Sequence, residues 1–263
     1  TERRRCTNYI ERMTSEDPLW GLTLLTVSEV EMVKKGLIEE IFIGFISVVI
    51  FCFTLSCSSS YNRLARNYHE QGQIFYERME YTSSIENYTK ALEVNPKDPE
   101  NYKIYFDRGK AYFKDRQYEN AIYDYTRALE LTPQSDKKSR FLIFESRGYT
   151  YLMNQQYDAS ISDYSDALRL MPTHEYVRFI YMNRAWDYFN KKEYDLAIND
   201  FTKSISIDKT LASSFYGRGQ SWYLKGDLQR AMQDAKEALR LSPGSSKYDD
   251  FVYEIRNSMK NVN

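Results

Sequence analysis

The chain has 263 residues, 42% of them hydrophobic and 28% charged, enough apolar side chains for a packed core and too many for a wholly disordered chain. With 36 basic against 37 acidic residues its net charge is −1, so no overall field draws it to nucleic acid or to an anionic membrane. The 24 tyrosines beside 6 prolines and 10 glycines suit repeated helix-on-helix packing.

In chain order, residues 1–31 read as an upstream extension or a misread start, because a signal-like order begins at Met32 with Lys34 and Lys35 close behind. Ile41 to Leu55 follow without a charge. That run is short for a membrane span of about 20 residues and matches the about 7 to 15 of a secretory apolar region. Ser56, Cys57 and the serines 58 to 60 come next. The order resembles a bacterial lipoprotein signal, which implies lipidation at Cys57 and a place in the cell envelope. It departs from that pattern in Leu55, one place too close to the cysteine, and in Glu39 and Glu40, which interrupt the basic region. An uncleaved anchor and a buried apolar segment stay open beside lipidation, over residues 32–57. Cys6, Cys52 and Cys57 are the chain's cysteines, so the body after them folds without disulfides. His69 and His174 stand far apart with no cysteine near, and no metal or cofactor is expected.

From residue 58 to 244 one unit recurs. Gly72, Gly109, Gly148, Ala185 and Gly219 follow one another at 37, 39, 37 and 34 residues. An aromatic stands four before each (Tyr68, Tyr105, Phe144, Tyr181, Phe215) and three after each (Phe75, Tyr112, Tyr151, Tyr188, Trp222). Later in each unit come Ser84, Ala121, Ser160, Ala197 and Ala231, then Tyr88, Tyr125, Tyr164, Phe201 and Ala235, then Ala91, Ala128, Ala167, Ser204 and Ala238. Intervals of three and four put each set on one stripe of a helix, small residues admitting a neighbouring backbone and rings filling the space beside it. Pro96, Pro133, Pro172 and Pro243 stop the second helix, with Lys209 in the fourth copy. The surplus over 34 residues falls near 97–101, 134–140 and 173–177, between units.

This register resembles the tetratricopeptide repeat over about 180 residues. It implies an all-α solenoid of five helix pairs, near 65–98, 102–135, 141–174, 178–211 and 212–245. Tyr248, Phe251, Val252, Ile255 and Met259 then recur at helical intervals, which predicts a capping helix over 245–263.

A charged pattern rides on the repeat. Arg108, Arg147, Arg184 and Arg218 precede the small residue, each answered sixteen places on by Asp124, Asp163, Asp200 and Asp234, while the first copy has Gln71 and Asn87. A feature present in four stacked units is expected to form structural ion pairs, across the two helices or to the adjacent unit, rather than one catalytic acid and base. No phosphate loop, nucleophile elbow or metal spacing appears, so no enzyme is expected. The Asn87-Tyr88-Thr89 sequon lies inside a predicted helix and reads as chance.

The resemblance implies a concave face lined by the first helices, used to hold a peptide or partner protein. By position its candidates are Phe106, Phe113, Tyr149, Leu152, Met182, Trp186, Phe189, Tyr216 and Tyr223, with His69, Gln73 and Glu145 beside them. The basic clamp by which some members grip a C-terminal carboxylate is missing, since His69, Gln73, Asp107, Leu142 and Ser146 stand there. An apolar guest segment is expected instead. A carrier for a small apolar ligand is the alternative; nothing indicates a homo-oligomer, and any membrane partner is met through the N-terminal segment.

Overall fold

The computed structural model describes residues 60–262, and every element among them is a helix. In chain order these are α1 (60–77), α2 (Tyr81–Val94), α3 (Asn101–Lys114), α4 (Tyr118–Leu131), α5 (Lys137–Met153), α6 (Tyr157–Leu170), α7 (Val177–Asn190), α8 (Tyr194–Ile207), α9 (Ala212–Leu224), α10 (Leu228–Leu241) and α11 (Ser246–Val262). They form five antiparallel pairs in an α-solenoid, followed by one further helix. In each pair the first helix is here called A and the second B. Cys57 and the apolar run at 41–55 lie outside the described residues. Among the described residues no helix is long and apolar enough to cross a membrane.

Each pair closes by the same device. Met79, Arg116, Gln155, Lys192 and Gly226 take positive φ between the two helices. The residue after each sends its N–H back to the carbonyl of the aromatic three after the small residue: Glu80 to Phe75 and Gln117 to Tyr112 at 2.9 Å, Gln156 to Tyr151 at 2.8 Å, Glu193 to Tyr188 and Asp227 to Trp222 at 2.9 Å. This is the helix-ending arrangement that satisfies an orphan carbonyl and normally favours glycine. Four units hold it with larger side chains, so tertiary packing outweighs a left-handed cost of roughly 1–2 kcal/mol per residue. The surplus residues divide differently. Near 134–140 they lengthen α5 to 17 residues behind an Asp136 cap whose carboxylate accepts from Ser139 N at 3.0 Å, whereas near 97–101 and 173–177 they stay in the connections.

The glycines set how closely the pair approaches. A Cβ on Gly72 would lie 2.5 Å from Cε1 of Tyr88; on Gly109, 2.8 Å from that of Tyr125; and on Gly148, 3.1 Å from that of Tyr164. These tyrosines are buried, their rings laid across the A helix where no side chain stands. Ser84 and Ser160, on the same B helices, add hydroxyl bonds to the carbonyls of Gly72 and Gly148 at 2.8 Å. The fourth unit solves the problem otherwise. Ala185 replaces glycine, and Phe201 presses on Gly217 of the next A helix, where a Cβ would sit 2.3 Å from Cζ. In the fifth, Ala235 is too small to fill the gap, and Phe251 of α11 comes to Gly219 instead.

The arginine series joins three helices at a time. Arg108 Nε and Nη2 donate to Asp124 of its own B helix at 2.7 and 2.8 Å, and Nη1 donates to Thr89 of the preceding B helix at 3.0 Å. Arg147 does the same with Asp163 (2.7 and 2.8 Å) and Thr126 (2.8 Å), and Arg184 with Asp200 (2.7 and 3.2 Å) and Ser165 (2.8 Å). Arg218 follows with Asp234 (both 2.8 Å) and Thr202 (3.1 Å). Each hydroxyl accepts the arginine while donating to the carbonyl four residues back, Ile85, Ile122, Ile161 or Ile198. In the fifth unit Lys236 occupies the place of the hydroxyl. The recurring aromatics flank the guanidinium: Arg108 lies 5.5 Å from the Tyr105 ring and 5.7 Å from that of Tyr112.

Burial raises the Asp124 and Asp163 carboxyls even against the arginines that pull them down. Burial also opposes the charge on Arg108 and Arg147, and the aspartate bonds overcome it, holding both above the ordinary arginine value. Stranding one partner is therefore costly. Arg147→Met or Asp163→Leu alone is expected to destabilise by about 3–5 kcal/mol, and the double change by clearly less than their sum, in urea melts. Additive losses would show that the pair is not coupled.

Candidate functional site

The A helices present one row of side chains that meet from unit to unit. His69 Nε2 lies 2.8 Å from Asp107 Oδ2, and Gln73 Nε2 donates to the same oxygen at 3.2 Å, tying α1 to α3. Phe113 of α3 meets Tyr149 of α5 with ring centroids 5.5 Å apart. Between α7 and α9, Ser213 Oγ donates to Met182 Sδ at 3.0 Å, and Trp186 lies 6.3 Å from the Tyr216 ring. The B-helix tyrosines reach this row because they pass the glycines: Tyr125 senses Asp107 and Glu145, and Tyr164 senses Glu145, Tyr149 and Asp187.

The candidate side chains do not share one environment. Tyr149 is 38% exposed. Phe106, Leu152, Met182, Trp186 and Tyr223 are half-buried, with Phe106 tilted on Tyr125 at 5.8 Å and Trp186 edge-on to Phe201 at 5.2 Å. Phe113 and Phe189, also half-buried, pack against the first residue of their own B helices, Tyr118 and Tyr194, each at 5.7 Å, so part of their surface closes the pair. Tyr216 is buried among Tyr248 at 5.1 Å, Phe251 at 5.3 Å and Lys247 at 4.3 Å, its hydroxyl accepting from Gln220 at 2.7 Å. The capping helix takes it into the core, and Tyr223 leans on Phe251 at 5.8 Å.

At the repeat 1–2 end of the row, burial works to raise Asp107, and the bonds and charges of His69 and Lys110 overcome it, holding the carboxyl below its ordinary value. A cavity of about 630 Å³ lies at the turn edge among Trp222, Lys225, Asp227, Arg230 and Met259, away from this row. Among the described residues no group of three or more His, Cys, Asp or Glu is placed to hold a metal ion.

Family models described as TPR repeat and tetratricopeptide repeat match residues 72–116, 102–135 and 182–246. The matched stretches are tetratricopeptide repeats. No curated protein matches the chain. Among solved structures, YrrB, described as a TPR protein with an unusual peptide-binding site, is 18% identical, with 78% of this chain and 97% of that chain covered and a TM-score of 0.62. MamA is 22% identical over 70% of this chain and 95% of that one, TM-score 0.60. The C-terminal part of a TPR repeat-containing protein from Cytophaga hutchinsonii is 20% identical over 73% and 72%, TM-score 0.63. At these identities the likeness is one of fold.

Within the tetratricopeptide frame Asp187 is out of character. The same place, two residues after the small one, holds Ile74, Ala111, Thr150 and Ser221 elsewhere. Asp187 is fully buried, with Oδ2 2.7 Å from Ser160 Oγ and Oδ1 without a partner. Ser160 has one proton, and its Oγ also lies 2.8 Å from Gly148 O, the contact that Ser84 makes to Gly72 O. That one proton is shared between two acceptors, so the carboxylate receives little compensation for its burial. Burial accordingly pushes the carboxyl up to about 7, against the Ser160 bond and the Arg184 charge, which lower it. Tyr164, also facing it, is raised by its own burial and then by the Asp187 charge.

The folded chain thus binds this proton more tightly than the unfolded chain, whose value is 3.8. The stabilisation is complete below that value and is lost as pH rises through about 7. Asp187→Asn, which cannot ionise, is expected to overtake the parent protein on going from about pH 5 to about pH 8, by on the order of a few kcal/mol. Parallel thermal melts across that range check this; superimposable pH profiles for the two proteins would exclude a buried neutral acid.

Proposed function

We propose that the array is a protein-interaction scaffold that holds a segment of another polypeptide along the A-helix row, with no catalytic chemistry of its own. One observation carries this reading. The positions that fasten the repeats recur in kind in most units, whereas those three before and one after the small residue form a different pair in every unit. They read His69, Phe106, Glu145, Met182 and Tyr216, then Gln73, Lys110, Tyr149, Trp186 and Gln220. Structural demands are the same in every unit and select the same residues, so diversity on one side of the helices is what recognition of an irregular partner requires. The peptide-binding site in YrrB's description supports the same use of the fold.

The full chain, immobilised and challenged with a random library of short linear peptides, is expected to enrich a discrete set. Tyr149→Ser with Leu152→Ser, at an exposed and a half-buried place, is expected to weaken those peptides about tenfold or more while circular dichroism stays unchanged. No enrichment, or enriched peptides indifferent to the double change, would count against the scaffold, and an extractable small apolar molecule would favour the carrier.

We propose further that residues 32–57 tether the array to a membrane of the cell envelope, with Cys57 as the lipid acceptor or, failing that, the apolar run as a single anchor. The support is the order of Met32, the two lysines, the uncharged run and Ser56-Cys57. At about 0.8 kcal/mol per buried methylene, two or more acyl chains hold a soluble array at a bilayer. Mass spectrometry of the mature protein is expected to find a lipidated Cys57 at its N-terminus. An unprocessed chain beginning before Met32 would rule lipidation out.

A further inference from the structure

Asp107, Glu145 and Asp187 stand on successive A helices, close enough to the B-helix tyrosines to act on them: Asp107 on Tyr88 and Tyr125, Glu145 on Tyr125 and Tyr164, Asp187 on Tyr164. Two of the three are provided for within the chain. Asp107 is paired with Lys110 at 2.7 Å and with His69 at 2.8 Å, and Asp187 is held by Ser160. Glu145 is half-buried, and its one side-chain bond is a long one from the neighbouring Ser146 hydroxyl at 3.4 Å. Burial raises its carboxyl with that hydroxyl alone opposing, so no cation of the described residues compensates it. A carboxylate left in this state costs stability unless something else completes it.

The second unit shows what completes such a group. Lys110, three residues after Asp107, pairs with it while lying 5.1 Å from the Phe106 ring and 5.6 Å from the Tyr76 ring. At the other end of the array Lys247 lies 4.3 Å over Tyr216. In the third unit the place of Lys110 is taken by Tyr149, one helical turn beyond Glu145 and so on the same side of α5. Tyr149 is the most exposed of the candidate aromatics, and Phe113 backs it at 5.5 Å. Carboxylate and ring are both present here, and the cation is missing. Nearby, the Tyr164 hydroxyl is buried next to Asn183, in the field of both Glu145 and Tyr149.

We propose that Glu145, Tyr149 and Phe113 form a receptor for one arginine or lysine side chain of the docked segment. The cation lies on the Tyr149 ring and donates to the Glu145 carboxylate, supplying from outside what Lys110 supplies from within at Asp107. Charge-assisted bonding and ring contact act together, and partial burial strengthens both. The guest is then an apolar segment interrupted by a basic residue, which rests on the docking reading above and narrows it.

The test starts from peptides enriched on the full chain. They are expected to share an arginine or lysine among apolar residues. Replacing that arginine by citrulline, which keeps the shape and loses the charge, is expected to weaken binding to the parent protein about tenfold and to Glu145→Gln less than about twofold. Glu145→Gln is expected to melt no lower than the parent, because the neutral isostere removes a buried charge. Tyr149→Ser, at an exposed place, gives a second readout and is expected to lose the arginine preference with the fold intact. Enriched peptides without a basic residue, or a citrulline form bound equally well by the parent, would overturn the receptor and leave the docking face standing. No enrichment of any peptide would overturn both.

Discussion

The array depends on a missing side chain. Where Gly72, Gly109 and Gly148 leave the A helix bare, Tyr88, Tyr125 and Tyr164 lie across it, so close that a Cβ at Gly72 would stand 2.5 Å from the ring. That approach has two effects at once. It buries a large aromatic ring between the helices, which is where most of the packing energy of such a pair comes from. It also brings the Tyr125 phenol within the electrostatic reach of Asp107 and Glu145 on the A helices. The acidic groups of the A-helix row are therefore backed by buried rings whose backbone belongs to the second layer.

The units differ in how they meet this constraint, and the differences explain themselves locally. Ala185 denies the fourth unit the bare helix, its ring lacks the hydroxyl, and Gly217 in the following helix makes the room. Ala235 leaves the fifth unit short of an aromatic, and the capping helix lends Phe251. Lending has a cost in surface: the same helix covers Tyr216, which its position alone would put on the open face.

Much of this is legible in the amino-acid order alone. The helix pairs, their register and the capping helix follow from small and aromatic residues at intervals of three and four, because helical geometry converts those intervals directly into a stripe. The spacing of Arg147 and Asp163 likewise fixes two residues that the structure holds at 2.7 Å. The third partner is not legible in the same way. Thr89, Thr126, Ser165 and Thr202 each follow a B-helix aromatic in constant register, but a hydroxyl on a helix ordinarily bonds its own backbone and signals little. Asp187 is hidden for a related reason. An acidic residue at a helical position reads as solvent-facing, and its burial shows only when Ala111, Thr150 and Ser221 are seen to share its place. Repeat position marks Tyr149 and Tyr216 equally, since exposure depends on which later helix folds back, and no interval encodes that.

The arginine contacts also give the array a polarity. Each guanidinium reaches back to a hydroxyl in the unit before it, so every joint has a donor on its C-terminal side and an acceptor on its N-terminal side. Interior units are thus interchangeable couplings: an extra copy spliced between two of them would find a matching acceptor behind and offer one ahead. Lys236 breaks the series, for an ammonium has no lone pair to give. The fifth unit can receive a predecessor and cannot seat a successor by the same bond, and it is α11, joined by apolar packing at that place, that follows it.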